Sequence, residues 1–233
     1  MTAEILFENL MLYADEMNVR YLKQCMPDAQ FIGTELNERP YFADNTPDLI
    51  YMGGMNEKNQ EKAIEMLLPF KDRLEKLVDS GAVMLFTSNA VECLGQYIQE
   101  DDKQIPALGL FDIYAKREMF NRYGGEVLGT FEGISIVGFK NQFAHTYGKT
   151  DDYPFISVER GIGLNKKTKN EGIRKNNLMA TYLVGPFLVI NPLFTKYLLR
   201  LLGHDDKLPF EDVAMAAYSN RLEEFKDPQR KIG

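Results

Sequence analysis

Val83-Met84-Leu85-Phe86-Thr87-Ser88-Asn89-Ala90-Val91-Glu92-Cys93-Leu94-Gly95-Gln96-Tyr97 is the stretch that decides the fold. Its first four residues are apolar without alternation. Strands of that kind are covered on both faces and belong to parallel sheets flanked by helices. A tight turn at Thr87–Ala90 follows, and a helical pattern through Cys93, Leu94 and Tyr97 comes next. Such a strand–turn–helix unit lifts the side chain at its turn above the sheet edge and aims the first helical N–H groups at the same place. Ser88 holds that position. A serine hydroxyl is a weak nucleophile without a base, and the turn lacks the glycines of a Gly-x-Ser-x-Gly elbow. Taken alone, the residues favour Ser88 as a helix N-cap.

On the N-terminal side, Met17, Val19, Tyr21, Leu22 and Cys25 give a helix that Pro27 ends. Residues 29–36 and 48–52 read as strands. Ala63, Met66, Leu67, Phe70, Leu74, Leu77 and Val78 predict one long amphipathic helix stopped by Gly81. Alternating strands and helices through residue 100 specify an α/β layer fold. Beyond it, residues 108–111, 125–130 and 134–139 are glycine-broken strands that suggest hairpins at one side of the sheet. Residues 165–177 read as a surface turn, 178–184 as a late strand, and 191–202 and 210–225 as helices. No repeat or linker interrupts the chain, so one domain over 1–233 is the expectation.

The composition narrows the function classes. The chain has 233 residues, 45% of them hydrophobic and 26% charged, enough for a large core without disulfide or metal support. A net charge of −7 argues against a nucleic-acid binder. Cys25 and Cys93 are far apart, which excludes a disulfide scaffold and a cysteine-based zinc module and fits a reducing cytoplasm. The opening Met1–Ile5 carries no signal-peptide pattern, and no run is long and apolar enough for a membrane span.

Few side chains are equipped for chemistry. His204 lies in a polar loop, and His145, in Phe143–Tyr147, lacks a partner at a known spacing. Cys93 and Cys25 read as buried helix cysteines. Gly53-Gly54 after the second of these strands lets backbone approach a ligand closely. Neither this pair nor Gly161-Ile162-Gly163 makes a dinucleotide fingerprint. Asp151-Asp152 and Asp205-Asp206 are acidic doublets of ordinary loops, and no metal site is expected.

Residues Leu85–Gly95 resemble the elbow of class I glutamine amidotransferases of the cobyric acid synthase (CobB/CobQ-like) type. Within that group they are similar to the small glutaminase subunit that works with a Mur-ligase-like partner to amidate lipid II. Further blocks in order extend the resemblance over most of the chain: Asn9–Val19, Asp48–Met55, Leu108–Asp112, Gly138–Gln142 and Thr181-Tyr182-Leu183-Val184-Gly185-Pro186. The resemblance implies a three-layer, flavodoxin-like α/β fold with a mostly parallel central sheet and antiparallel strands at one side. It also implies no cofactor, a ligand cleft bounded by Gly53, Gly54, Ser88, Asn89, Glu92 and Arg122, and an ammonia-using synthetase as partner.

The departures from the family pattern fall on the chemistry. Ser88 stands at the position of the nucleophilic cysteine and Val184 at that of the catalytic histidine. Glu92 replaces the family glutamine, and Met55 the third glycine of the oxyanion loop. The resemblance therefore implies a catalytically inactive domain kept as a binding or regulatory subunit. The alternative is an amidase of altered chemistry using Ser88, Glu92 and His145. A third reading has a partner subunit supply the missing groups.

Overall fold

The computed structural model describes residues 1–232. The chain begins with strand β1 (Thr2–Leu6), helix α1 (Asp15–Cys25), β2 (Gln30–Thr34), β3 (Leu49–Met52), α2 (Glu57–Leu67), α3 (Lys71–Asp79) and β4 (Val83–Thr87). Then come β5 (Tyr97–Glu100), β6 (Lys103–Pro106), β7 (Ile113–Arg117), β8 (Tyr123–Phe131), β9 (Ile134–Gln142) and β10 (Ala144–Gly148). The chain continues through β11 (Pro154–Arg160), β12 (Asn170–Lys175), β13 (Leu178–Thr181), α4 (Phe187–Ile190), α5 (Pro192–Leu201) and α6 (Glu211–Lys226).

A nine-stranded sheet runs in the order β2-β1-β3-β4-β13-β12-β11-β8-β9. The first five are parallel to one another, and β12, β11, β8 and β9 extend the sheet antiparallel. The expected architecture is thus present, mostly parallel at its centre with antiparallel strands on one side. Successive residues of β4 point to opposite faces, as the period of two requires. Met84 and Phe86 join the core under α2 and α3, while Val83 and Leu85 join the core under α1, α4 and α5.

Several expectations need correction. The single helix over 63–78 is two helices, because Pro69 removes a backbone donor and residues 68–70 form a 3-10 joint. The expected strand at 108–111 is irregular. The β structure there lies instead in a second sheet, β10-β7-β5-β6, built from polar or mixed segments with little strand signal. The expected surface turn at 165–177 contains β12, where Glu171 is wholly buried. Residues 2–6, to which the sequence reading assigned no element, form β1, the second strand of the sheet from its edge.

Glu171 pairs with Lys140 of β9, and both are fully buried. Lys140 Nζ also donates to Gly163 O at 2.6 Å, and Glu171 Oε1 accepts from Thr181 Oγ1 at 2.8 Å and Tyr182 N at 2.7 Å. A buried ion pair survives only when its remaining hydrogen-bonding groups are satisfied. These partners meet that condition and clamp the end of β13, directly before Val184.

Candidate functional site at the elbow

In the sheet Thr181 of β13 lies beside Thr87 of β4. Ser88 and Val184 therefore leave adjacent parallel strands at their carboxyl ends, where ligands bind in open α/β sheets. Ser88 has φ 58°. That left-handed conformation costs a non-glycine residue roughly 1–2 kcal/mol, and such strain is characteristic of functional turns. The elbow geometry read from the sequence is present. The segment after it differs from expectation, since Ser88–Leu94 is a 3-10 helix and Tyr97 already belongs to β5. Ser88 is not an N-cap either, because no side chain caps that helix.

The Ser88 hydroxyl donates instead to Asp15 Oδ2, 2.5 Å away. Asp15 is the first residue of α1 and is completely buried. The two residues before it, Tyr13 and Ala14, are also left-handed, at φ 56° and 59°. Oδ2 also accepts from Gly54 N at 3.0 Å, while Oδ1 accepts from Thr87 Oγ1 at 2.8 Å and Asn18 Nδ2 at 3.4 Å. Tyr51, between them, places its hydroxyl 2.8 Å from Thr87 Oγ1 and accepts from Asn18 Nδ2 at 2.9 Å. Burial pushes the Asp15 carboxyl up to about 6, and the donors from Ser88, Thr87 and Gly54 pull it back. At neutral pH it is an anion held by a full set of donors.

The loop Gly53-Gly54-Met55 is pressed onto this arrangement. A Cβ on Gly54 would lie 2.5 Å from Ser88 Cβ, and one on Gly53 would lie 2.7 Å from Asp15 Cβ. Both backbone N–H groups after Gly53 are already in use. Gly54 N–H goes to Asp15, and Met55 N–H goes to Asn89 Oδ1 at 3.0 Å, while Asn89 Nδ2 returns to Met55 O at 2.7 Å. An oxyanion hole needs donors aimed at the reacting oxygen. Here they point into the protein.

Glu92 is buried and turned toward α2. Its Oε2 accepts from Gln60 Nε2 at 3.2 Å and lies 4.0 Å from Arg117 Nη2. Arg117 is itself buried, donating to Gln60 Oε1 and to Glu100 Oε2, each at 2.7 Å. Burial pushes the Glu92 carboxyl up to about 7, against the pull of Arg117. Beside this cluster, Tyr13, Asn89, Glu92, Arg117, Gln142 and Phe143 line a cavity of about 10 Å³. A space of that size holds about one water molecule.

Of the residues singled out from sequence, Gly53, Gly54, Ser88 and Asn89 meet at the elbow, and Glu92 lies one layer behind them. Val184 is buried against the same edge, its N–H donating to Phe139 O at 3.0 Å. Arg122 sits further out, exposed, bonded to Asn141 and lying 5.2 Å over the Phe143 ring. His145 is buried in β10 with Nδ1 3.4 Å from Gln142 Nε2, and burial lowers its pKa. No hydrogen bond joins Ser88, Glu92 and His145 among the described residues. His204 bonds its own loop, and burial pushes both the Cys25 and Cys93 thiols up. The sequence reading missed Asp15, Gln60 and Arg117. Only Asp15 had a signal, as one of two neighbouring acids, with Glu16, inside the Asn9–Val19 block.

Comparison with known proteins gives the fold and site a family. The chain is 31% identical over 209 residues to the lipid II isoglutaminyl synthase (glutamine-hydrolyzing) subunit GatD of Staphylococcus aureus, covering 88% of this chain and 84% of that protein. It is 27% identical over 241 residues to the subunit of the same name from Streptococcus pneumoniae, covering 97% and 90%. A solved glutamine amidotransferase from Thermotoga maritima shares the fold with TM-score 0.51 at 11% identity, covering 94% of this chain and 92% of that one. With residues 4–191 matching the family model, the chain belongs to the CobB/CobQ-like glutamine amidotransferase domain family.

Proposed function

We propose that this chain is a non-hydrolysing glutamine amidotransferase-like subunit, retained to bind or regulate an ammonia-using synthetase of the Mur-ligase-like kind. The observation that carries the reading is the Ser88–Asp15 bond of 2.5 Å, with valine where a base would stand. Hydrolysis of glutamine in this family type needs a nucleophile, a group that takes and returns its proton, and donors for the oxyanion. Ser88 donates its hydroxyl hydrogen bond to a buried carboxylate, Val184 has no group to carry a proton, and Gly54 and Met55 spend their N–H groups internally. The cavity beside Asn89, Glu92 and Arg117 has a volume of about 10 Å³, room for about one water molecule. The similarity to subunits of lipid II isoglutaminyl synthase supports a cell-wall synthetase as the partner.

The test is ammonia release from glutamine by the chain alone and with its candidate synthetase, alongside co-purification of the two. Binding without hydrolysis is the expected result. Ammonia release that Ser88→Ala abolishes would overturn the reading.

One observation favours a second reading: Asp15 lies within hydrogen-bond reach of Ser88, as a general base must. In that reading the chain is an amidase of altered chemistry. Labelling of Ser88 by a fluorophosphonate probe, absent in Asp15→Asn, would support it.

We place the whole chain in one domain, supported by a central sheet that draws strands from residues 2–6 through 178–181. A cytoplasmic location is supported by two unpaired, buried cysteines. Among the described residues no helix is long and apolar enough to cross a membrane.

A further inference from the structure

An open sheet has edges, and an edge strand offers a row of unpaired N–H and C=O groups to any chain that can pair with it. The two sheets end in four edge strands, β2, β9, β10 and β6. Three of these are guarded. Along β9, the Asn191 side chain holds both the N–H and the C=O of Val137, and Val184 N–H takes Phe139 O. In β10, Thr146 N–H goes to Leu164 O, and Thr146 O accepts from Asn165 Nδ2. Strand β6 opens with Lys103 and ends with Pro106, residue types that blunt an edge.

Strand β2 has none of these devices. It reads Gln30-Phe31-Ile32-Gly33-Thr34, with no charge and no proline. Gln30 N–H reaches Met1 O at 2.9 Å and Thr34 O accepts from Phe7 N at 2.8 Å, so the even residues bond toward β1. By the alternation of the ladder, Phe31 and Gly33 turn their N–H and C=O groups outward. Gly33 is exposed, and a Cβ added there would meet nothing within 4 Å. Phe31 and Ile32 are half-buried, on opposite faces of the sheet.

This edge is complementary to itself. Turned antiparallel about a two-fold axis at Ile32, it sets Phe31 opposite the second copy's Gly33, and Gly33 opposite the second copy's Phe31. These are the residues whose backbone groups point outward, so both pairs are of the hydrogen-bonded kind, with Ile32 meeting its own copy between them. Each Phe31 ring covers the empty side of a glycine, the contact that rescues glycine at sheet edges. The charges agree as well. Lys23 Nζ lies 5.8 Å over the Phe31 ring, and Glu35 follows the strand. The same register puts each Lys23 diagonally beside the second copy's Glu35, within reach of long side chains. We propose that β2 is a homodimerisation edge, joining two copies of this chain into one continuous sheet across a two-fold axis at Ile32. Such an interface uses the same patch on both subunits, as closed two-fold dimers do. Strand β2 is three places from β4 in the sheet, so the inference stands apart from the function proposed above.

Sedimentation velocity of the full chain over a concentration series tests it, with a monomer–dimer equilibrium as the expected result. Ile32→Lys and Ile32→Glu each set like charges face to face on the axis and should leave only monomer. An equimolar mixture of the two variants should recover the dimer, because pairing about residue 32 places lysine opposite glutamate. Gly33→Val has free space in the single chain but fills the slot for Phe31 on both sides of the axis. It should weaken association about tenfold, and it carries the test if circular dichroism shows that the charged variants do not fold. A chain that stays monomeric at every concentration would overturn the proposal. So would a dimer indifferent to these substitutions, or a charge-swapped mixture that stays monomeric. A monomer that loses co-purification with the synthetase on Ile32→Lys would instead give the edge to a strand of that partner.

Discussion

Replacing Ser88 with alanine removes the Oγ that donates to Asp15 at 2.5 Å and leaves the backbone at φ 58°. A buried hydrogen bond to a charged group contributes about 1.5–3 kcal/mol, so Ser88→Ala should lose about that much stability at pH 7.5. For a chain of this size, at about 2–4 °C per kcal/mol, the loss lowers the melting temperature by about 3–12 °C. Ser88→Gly loses the same bond but recovers about 1 kcal/mol of left-handed strain, so it should be the more stable of the two. The pH dependence adds a second signature. The folded Asp15 carboxyl is raised to about 6, chiefly by burial. A raised acid contributes stability that is fully present below its unfolded pKa and is lost as pH rises through about 6. From Asp15 alone that loss is about 3 kcal/mol. The Ser88 bond is charge-assisted only above that point, so the Ser88→Ala deficit should shrink toward pH 4. Urea unfolding of wild type, Ser88→Ala, Ser88→Gly, Asp15→Asn and Ser88→Ala/Asp15→Asn measures all of this, with the cycle isolating the coupling. A Ser88→Ala variant within about 0.5 kcal/mol of wild type at pH 7.5 would refute a stabilising Ser88–Asp15 bond, as that is the range of inert substitutions.

Restoring thiol and imidazole together in Ser88→Cys/Val184→His should leave ammonia release at background, because Gly54 and Met55 N–H remain engaged with Asp15 and Asn89. Turnover by that double variant would show that the cleft opens. Burial raises the Glu92 carboxyl to about 7, so its stabilising contribution falls as pH rises through 7, and Glu92→Gln should be the more stable protein at pH 8. Thermal melts from pH 5 to 8 check this through a flatter profile for the variant. Gly54→Ala places a Cβ 2.5 Å from Ser88 Cβ and should lose about 1–3 kcal/mol by overpacking, read in the same melts. Glu171→Gln strands the buried Lys140 charge and should lose about 3–5 kcal/mol in denaturant unfolding.

Much of the scaffold was written locally. Val83–Phe86 is apolar throughout because it is covered on both faces, and β3, β4 and β13 follow that rule. The elbow was readable because a strand, a turn and a following helical segment adjoin in sequence. The second sheet was not readable, since Tyr97–Glu100 and Lys103–Pro106 carry polar residues that pairing alone holds extended. Pro69 marked a break whose effect depends on how α2 and α3 dock.

At the site, the sequence by itself determined which groups are present: serine and valine at the two reacting positions, and only two histidines, His145 and His204, in the whole chain. It could not say which group accepts the Ser88 hydrogen bond. That depended on Asp15, 73 residues away along the chain yet 2.5 Å away in space. Nor did it tell that Asn89 closes on Met55, or that Gln60 and Arg117 draw Glu92 aside. Hydrogen bonds and desolvation are set by distances between segments remote in sequence, and only the packed sheet with its helices fixes those distances.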